Sequence, residues 1–185
     1  MKKSLLFAFA LSIALFSCGG KTEENHESHD MEHSATPETA ATSSTPSESK
    51  PTTAMIDSYL AVKDALVADD QAAAAAKSQD LVASIQSFSA DQSTETLKQN
   101  ALVEAQKLAS ADIAAQRESF QALSVSMKEL LKVAGSDRTL YQQYCPMYKN
   151  NTGGIWLSAS EDIKNPLFGS SMLTCGKVEE TIAMN

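Results

Sequence analysis

Between Met55 and Ala134 the apolar residues recur every three or four positions, and after Gly135 they stop doing so. A recurrence near 3.6 residues puts those side chains on one face of a helix. Met55, Tyr59, Val62 and Leu66 form the first such face. Asp69 and Asp70 interrupt it and can cap a second helix. There Ala72 to Ala76 supply the strongest helix former, and Leu81, Ile85 and Phe88 supply the apolar side. Residues 89–93 read as a connection. A third stretch starts near Thr94, with Leu97, Ala101, Ala105 and Leu108 on one side. Ser110 is the expected cap of a fourth, over about 111–134, whose face is Ile113, Phe120, Leu123, Met127, Leu130 and Leu131. Gly135 is its natural stop. No Gly or Pro separates the third and fourth stretches, so one long bent helix competes with the preferred break. Met127 reads as packing, and Arg117 and Glu118 as a solvated or locally paired face.

Past Gly135 the composition shifts to Tyr141, Tyr144, Tyr148, Trp156 and Phe168, with Gly153, Gly154, Gly169 and Gly176 and with Pro146 and Pro166. Short extended pieces are expected over 140–144, 155–157 and 177–182. A lobe this small cannot hold a core alone and must pack on the helices. The expected fold is mainly α: a bundle of three to four helices with a C-terminal irregular lobe containing short extended segments. Residues 54–185 suffice for one domain with a single core.

The N-terminus sets the compartment. Met1-Lys2-Lys3 is followed by an apolar run from Leu5 to Phe16, broken only by Ser12. The run is too short to span a bilayer and fits a signal-peptide core. It ends in Leu15-Phe16-Ser17-Cys18, which resembles a bacterial lipobox. That resemblance implies a lipoprotein signal peptide over 1–17 and lipidation of Cys18. The acyl chains would anchor the chain to a membrane without spanning it. The expected location is the cell envelope, periplasmic or surface-exposed, where disulfides persist.

The chain carries 15 Lys+Arg against 23 Asp+Glu; without Lys2 and Lys3 the balance is 13 against 23, a net of −10. The basic footprint of a nucleic-acid binder is absent. Residues 18–53 show no apolar periodicity and are rich in Ser, Thr, Glu and Pro. Such a segment reads as a disordered tether. Inside it, His26, His29, Met31 and His33 lie close together, and the three histidines are all that the chain has. Neutral imidazoles suit copper and zinc, so this segment is either an accessory metal site or a polar linker that contains His.

Cys145 and Cys175 are the only thiols of the domain, with Met147 two residues from one and Met172 three from the other. Thiolate and thioether are soft ligands that select monovalent copper over magnesium or calcium. Pro146 biases Cys145 toward an extended backbone, and a helical turn at Met172 would set it on the same side as Cys175. Tyr144 or Trp156 could shield such a site from water. The competing reading is a disulfide between Cys145 and Cys175. It closes a loop of about 30 residues, worth roughly 3–4 kcal/mol by the chain-entropy estimate, and leaves Met147 and Met172 as gap-filling core. Both readings require the two sulfurs to be close.

Tyr144-Cys145-Pro146-Met147, Trp156-Leu157-Ser158 and the stretch from Asn165-Pro166-Leu167-Phe168-Gly169 to Met172-Leu173-Thr174-Cys175-Gly176 carry a resemblance. So do Tyr59-Leu60-Ala61-Val62-Lys63-Asp64-Ala65-Leu66 and the segment from Asp112 to Phe120. Together they resemble the domain of unknown function 3347 family over about 55–183. That family occurs in bacterial envelope lipoproteins and appended to periplasmic adaptors of heavy-metal efflux systems. The resemblance implies a helical envelope domain linked to copper or another soft metal, with an efflux adaptor as the implied partner. The chain departs from the family pattern at Leu167, where an aromatic is commoner, and at Tyr148, where a small residue is commoner.

Catalysis is not expected. The domain has no His, which removes Ser/His and Cys/His arrangements. It also lacks a phosphate-binding glycine loop and a dinucleotide fingerprint. The expected function is to bind or hand over copper or another soft metal. The alternative is a disulfide-stapled helical module that docks on an efflux adaptor and binds no metal. A thiol–disulfide redox component is a third possibility, made weaker by the lack of a Cys-x-x-Cys pair.

Overall fold

A computed structural model describes residues 50–109 and 112–185. The expected signal peptide, Cys18 and the His26, His29, Met31 and His33 segment lie outside the described residues. The described residues all belong to one compact unit.

Four helices come first: α1 (Thr53–Val67), α2 (Gln71–Ser87), α3 (Glu95–Lys107) and α4 (Ile113–Ala134). Each starts or stops where local chemistry directs it. Asp70 accepts a hydrogen bond from the Ala73 N–H at 2.8 Å and caps α2. Asp69 does not cap: it takes a left-handed backbone, φ 59, at the corner before α2. Asp91 gathers the N–H groups of Ser93 and Thr94 ahead of α3, each at 2.9 Å. The cap of α4 is Asp112, which accepts from the Ala115 N–H at 2.9 Å; this replaces the expected Ser110. Gly135 stops α4 with φ 90, a conformation that disfavours any other residue. The third and fourth stretches are thus separate helices.

The apolar faces meet in one core. Helix α1 packs on α2, α2 on α3, and α3 on α4. Met55, Ile56, Val62 and Leu66 from α1 are buried with Leu81 and Ile85 from α2 and with Leu123, Met127 and Leu130 from α4. Ala101 and Ala105 bury completely on α3, so that helix lies close to its neighbours. The Tyr59 and Phe120 rings stack with centroids 4.9 Å apart.

The tail forms a small antiparallel sheet of β1 (Leu140–Cys145), β2 (Gly154–Ser158) and β3 (Lys177–Ile182), in the order β2-β1-β3. Cys145 pairs with Gly154, Tyr141 with Ser158, and Leu140 with Ile182. A bulge shifts the β1–β3 register between Gln142 and Gln143. Helix α4 packs against β2, and Trp156 and Leu157 complete the core. The molecule is mainly helical with a C-terminal lobe of strands.

Candidate functional site

Cys145 ends β1, and its side chain is fully buried. Cys175 follows a 3-10 turn (Gly169–Met172), and its N–H donates to the Met172 carbonyl at 3.1 Å. Three polar groups hold the loop that carries it. Buried Asn165 donates from Nδ2 to the Cys175 carbonyl at 2.9 Å and accepts from the Leu167 N–H at 2.8 Å. Its backbone N–H donates to the Leu173 carbonyl at 2.8 Å. Gln143 on β1 donates from Nε2 to the carbonyls of Ser160 at 2.9 Å and Glu161 at 3.1 Å, and Trp156 Nε1 donates to Gln143 Oε1 at 2.7 Å. Arg117 on α4 donates from Nε to the Pro166 carbonyl at 3.1 Å and from Nη2 to the Leu66 carbonyl at 3.3 Å. It also pairs with Asp69, whose other oxygen accepts from the Ser170 N–H at 3.1 Å. Arg117 thus bolts this loop to the bundle, and Glu118 pairs with Lys149. The reading of Arg117 as a solvated or locally paired face is corrected, since it is partly buried against the lobe; Glu118 is solvated as expected, and its partner Lys149 lies in the lobe.

This scaffold sets the Cys145 and Cys175 sulfurs 2.6 Å apart, with both thiols free among the described residues. The shared requirement of the metal and disulfide readings, two close sulfurs, is met. The hydrogen bond with Cys145, burial and the neighbouring sulfur charge raise the Cys175 thiol above its ordinary value. The Met147 backbone N–H acts the other way by pointing at the Cys175 sulfur. Gly176 lies against the indole: a Cβ there would stand 2.9 Å from Trp156 Cη2.

The methionines are placed differently from the thiols. Met147 is 47% exposed and Met172 39% exposed, beside Leu173 at 41%. They are not gap-filling core, as the disulfide reading expected. The backbone of each touches Cys175, so all four sequence-selected residues share one corner. No cluster of three or more His, Cys, Asp or Glu that could hold a metal exists among the described residues. The donors at this corner are therefore sulfur, and sulfur fits a soft ion. Two thiolates on one ion, each at about 2.3 Å, would stand further apart than 2.6 Å. Holding an ion thus requires the two sulfurs to move apart.

The β1–β2 connection is unusual. Its single helical turn α5 (Tyr148–Asn151) carries left-handed backbone at Lys149 (φ 43), Asn150 (φ 55) and Asn151 (φ 68). Tyr148 packs edge-on to Phe168 at 6.0 Å. A Cβ on Gly154 would meet Tyr148 at 2.6 Å and Leu167 at 2.8 Å. Tyr148 and Leu167 are thus neighbours across one glycine.

Residues 55–139 match the family described as protein of unknown function DUF3347. This part of the chain belongs to that family. The matched span covers the four helices and stops one residue before β1. The Cys/Met corner lies beyond that span, and the DUF3347 helices are what carry it. No curated protein and no solved structure matches the chain.

Proposed function

We propose that this chain is a lipid-anchored protein of the cell envelope that binds copper(I) or another soft metal ion and hands it over. One observation carries the reading: two thiols in contact, next to the backbones of Met147 and Met172, whose side chains are exposed. Exposed apolar side chains grouped together can mark an interaction site, and a transfer site is one such use. An ion held only by buried groups is stored, whereas exposed thioethers can pass it to an incoming ligand. Cys145 and Cys175 would hold the ion, with Met147 and Met172 at the exchange face. His26, His29, Met31 and His33 would serve as an accessory site. The lipid on Cys18 would keep the protein near its partner, an efflux adaptor in the envelope. No catalytic step is assigned.

The sulfur contact of 2.6 Å favours a second reading. In it Cys145 and Cys175 form a structural disulfide, and the domain docks on an adaptor without metal. Copper(I) titration of the reduced chain against a chromogenic chelator separates the two. Stoichiometric binding that survives His26, His29 and His33→Ala but is lost in Cys145→Ser, with the helical spectrum unchanged, supports the metal site. No binding at micromolar metal rejects it and leaves the disulfide module.

A further inference from the structure

We infer that Cys145 and Cys175 form a directional thiol–disulfide exchange site, in which Cys175 is the entry sulfur and Cys145 the resolving one. This goes beyond metal binding and does not rest on it. The inference starts from an asymmetry. The two sulfurs touch at 2.6 Å, yet Cys145 is fully buried at the end of β1 while Cys175 is partly exposed. A partner sulfur can reach only one of them, and exchange depends on access as much as on thiolate character. Met147 and Met172, which meet Cys175 through their backbones, have half-exposed side chains, and these offer apolar surface on which the residues flanking a partner's disulfide can rest. Asn165 and Gln143 hold the backbone of the Cys175 loop, so the entry sulfur is presented rather than floating.

The co-reactant is an external disulfide, small or protein-borne. The Cys175 thiolate attacks one of its sulfurs. A Cys175–partner bond forms, the partner's S–S bond breaks, and one partner thiolate leaves and takes up a proton. Cys145, already in contact, then gives up its proton and attacks the Cys175 sulfur. The Cys145–Cys175 bond forms and the second partner thiolate departs. Two protein thiols are oxidised and one partner disulfide is reduced to two thiols. The reverse begins when an external thiolate attacks Cys175 in the bridged form.

The test uses the reduced full chain, a metal chelator and the aromatic disulfide 5,5′-dithiobis(2-nitrobenzoate). Samples are acid-quenched over time and Cys145 and Cys175 are resolved by peptide mass spectrometry. The first adduct is expected on Cys175, followed by its replacement with the Cys145–Cys175 bridge and release of both reagent thiolates. Cys145→Ala should stop at a lasting adduct on Cys175. In Cys175→Ala the remaining Cys145 should react about tenfold or more slowly until denaturant is added. First labelling of Cys145 in the unmodified chain, or lasting adducts on both cysteines, overturns the inference. The unmodified chain gives this answer by itself, so a variant that folds poorly does not blunt the test. The chelator keeps its outcome separate from that of copper binding.

Discussion

Tyr59→Phe removes one oxygen that joins three elements, and its cost follows from the direction of the hydrogen bonds. Ser124 uses its hydroxyl hydrogen on the Phe120 carbonyl, at 2.7 Å. The Tyr59 hydroxyl must therefore donate to Ser124, at 2.6 Å, which leaves its oxygen to accept from the Leu157 N–H at 3.0 Å. Burial pushes the Tyr59 phenol well above its usual range, so this donor stays protonated in any ordinary buffer. Phenylalanine keeps the ring and its stacking on Phe120 but leaves the buried Leu157 N–H without a partner. An orphaned buried donor costs about 1–3 kcal/mol and the lost Tyr59–Ser124 bond about 1 more, so the expected loss is about 2–4 kcal/mol. In urea, with an m-value of about 1.5 kcal/mol/M, the midpoint should fall by roughly 1.3–2.7 M at unchanged slope. A double-mutant cycle with Ser124→Ala should return a coupling of about 1 kcal/mol. A Tyr59→Phe loss below about 0.5 kcal/mol, the size of an ordinary surface change, would refute the chain of donors.

Three further outcomes are expected. Arg117→Ala strips the Pro166 carbonyl of its side-chain donor and leaves the Leu66 carbonyl only the Asp69 N–H, at 3.3 Å, should cost about 1–3 kcal/mol, and should make residues 165–170 sensitive to protease. Arg117→Lys should recover only part of this, since an ammonium lacks the guanidinium fork. Bridged and reduced chains, compared by urea midpoint, should differ by roughly 3–4 kcal/mol for a cysteine separation of 30 residues. Hydrogen bonds from Ser93 and Thr94 lower the Asp91 carboxyl to about 2. Because the folded value lies below the unfolded one, its stabilisation is present above the model-compound value of 3.8 and is lost as pH falls toward about 2. Asp91→Asn should flatten that acid limb of the stability curve.

The helices were legible because spacing and caps agree over long stretches, and the three extended pieces because short aromatic and β-branched runs lie between glycines. Their pairing was not legible: nothing local in 177–182 says that it returns beside β1. Ser110 and Asp112 both precede the apolar run, and only the geometry at Ala115 separates them. Arg117 was misread because its partners Leu66, Asp69 and Pro166 lie 51, 48 and 49 residues away, beyond any helical neighbour rule. Asn165 read as a turn residue next to a proline, with no local sign that its amide would hold the Cys175 loop. The thiol pair could be named as a candidate from soft-ligand chemistry alone. Methionine serves in cores and on contact surfaces alike, so the exposure of Met147 and Met172 had to come from the fold.

The left-handed turn after Met147 bears on the order in which the chain folds. Three successive non-glycine residues with positive φ cost about 1 kcal/mol or more each. A hairpin closed by such a turn is disfavoured by itself and cannot seed the sheet. Strands β1 and β2 must instead be set in register by a surface that already exists, which is α4 with the Tyr59 hydroxyl over Leu157. The sheet then belongs to the late side of the folding barrier. Substitutions in β1 or β2 should speed unfolding and leave the folding rate nearly unchanged, while substitutions between α1 and α4 should slow folding. The sulfurs of Cys145 and Cys175 would come into contact only after the helices have assembled.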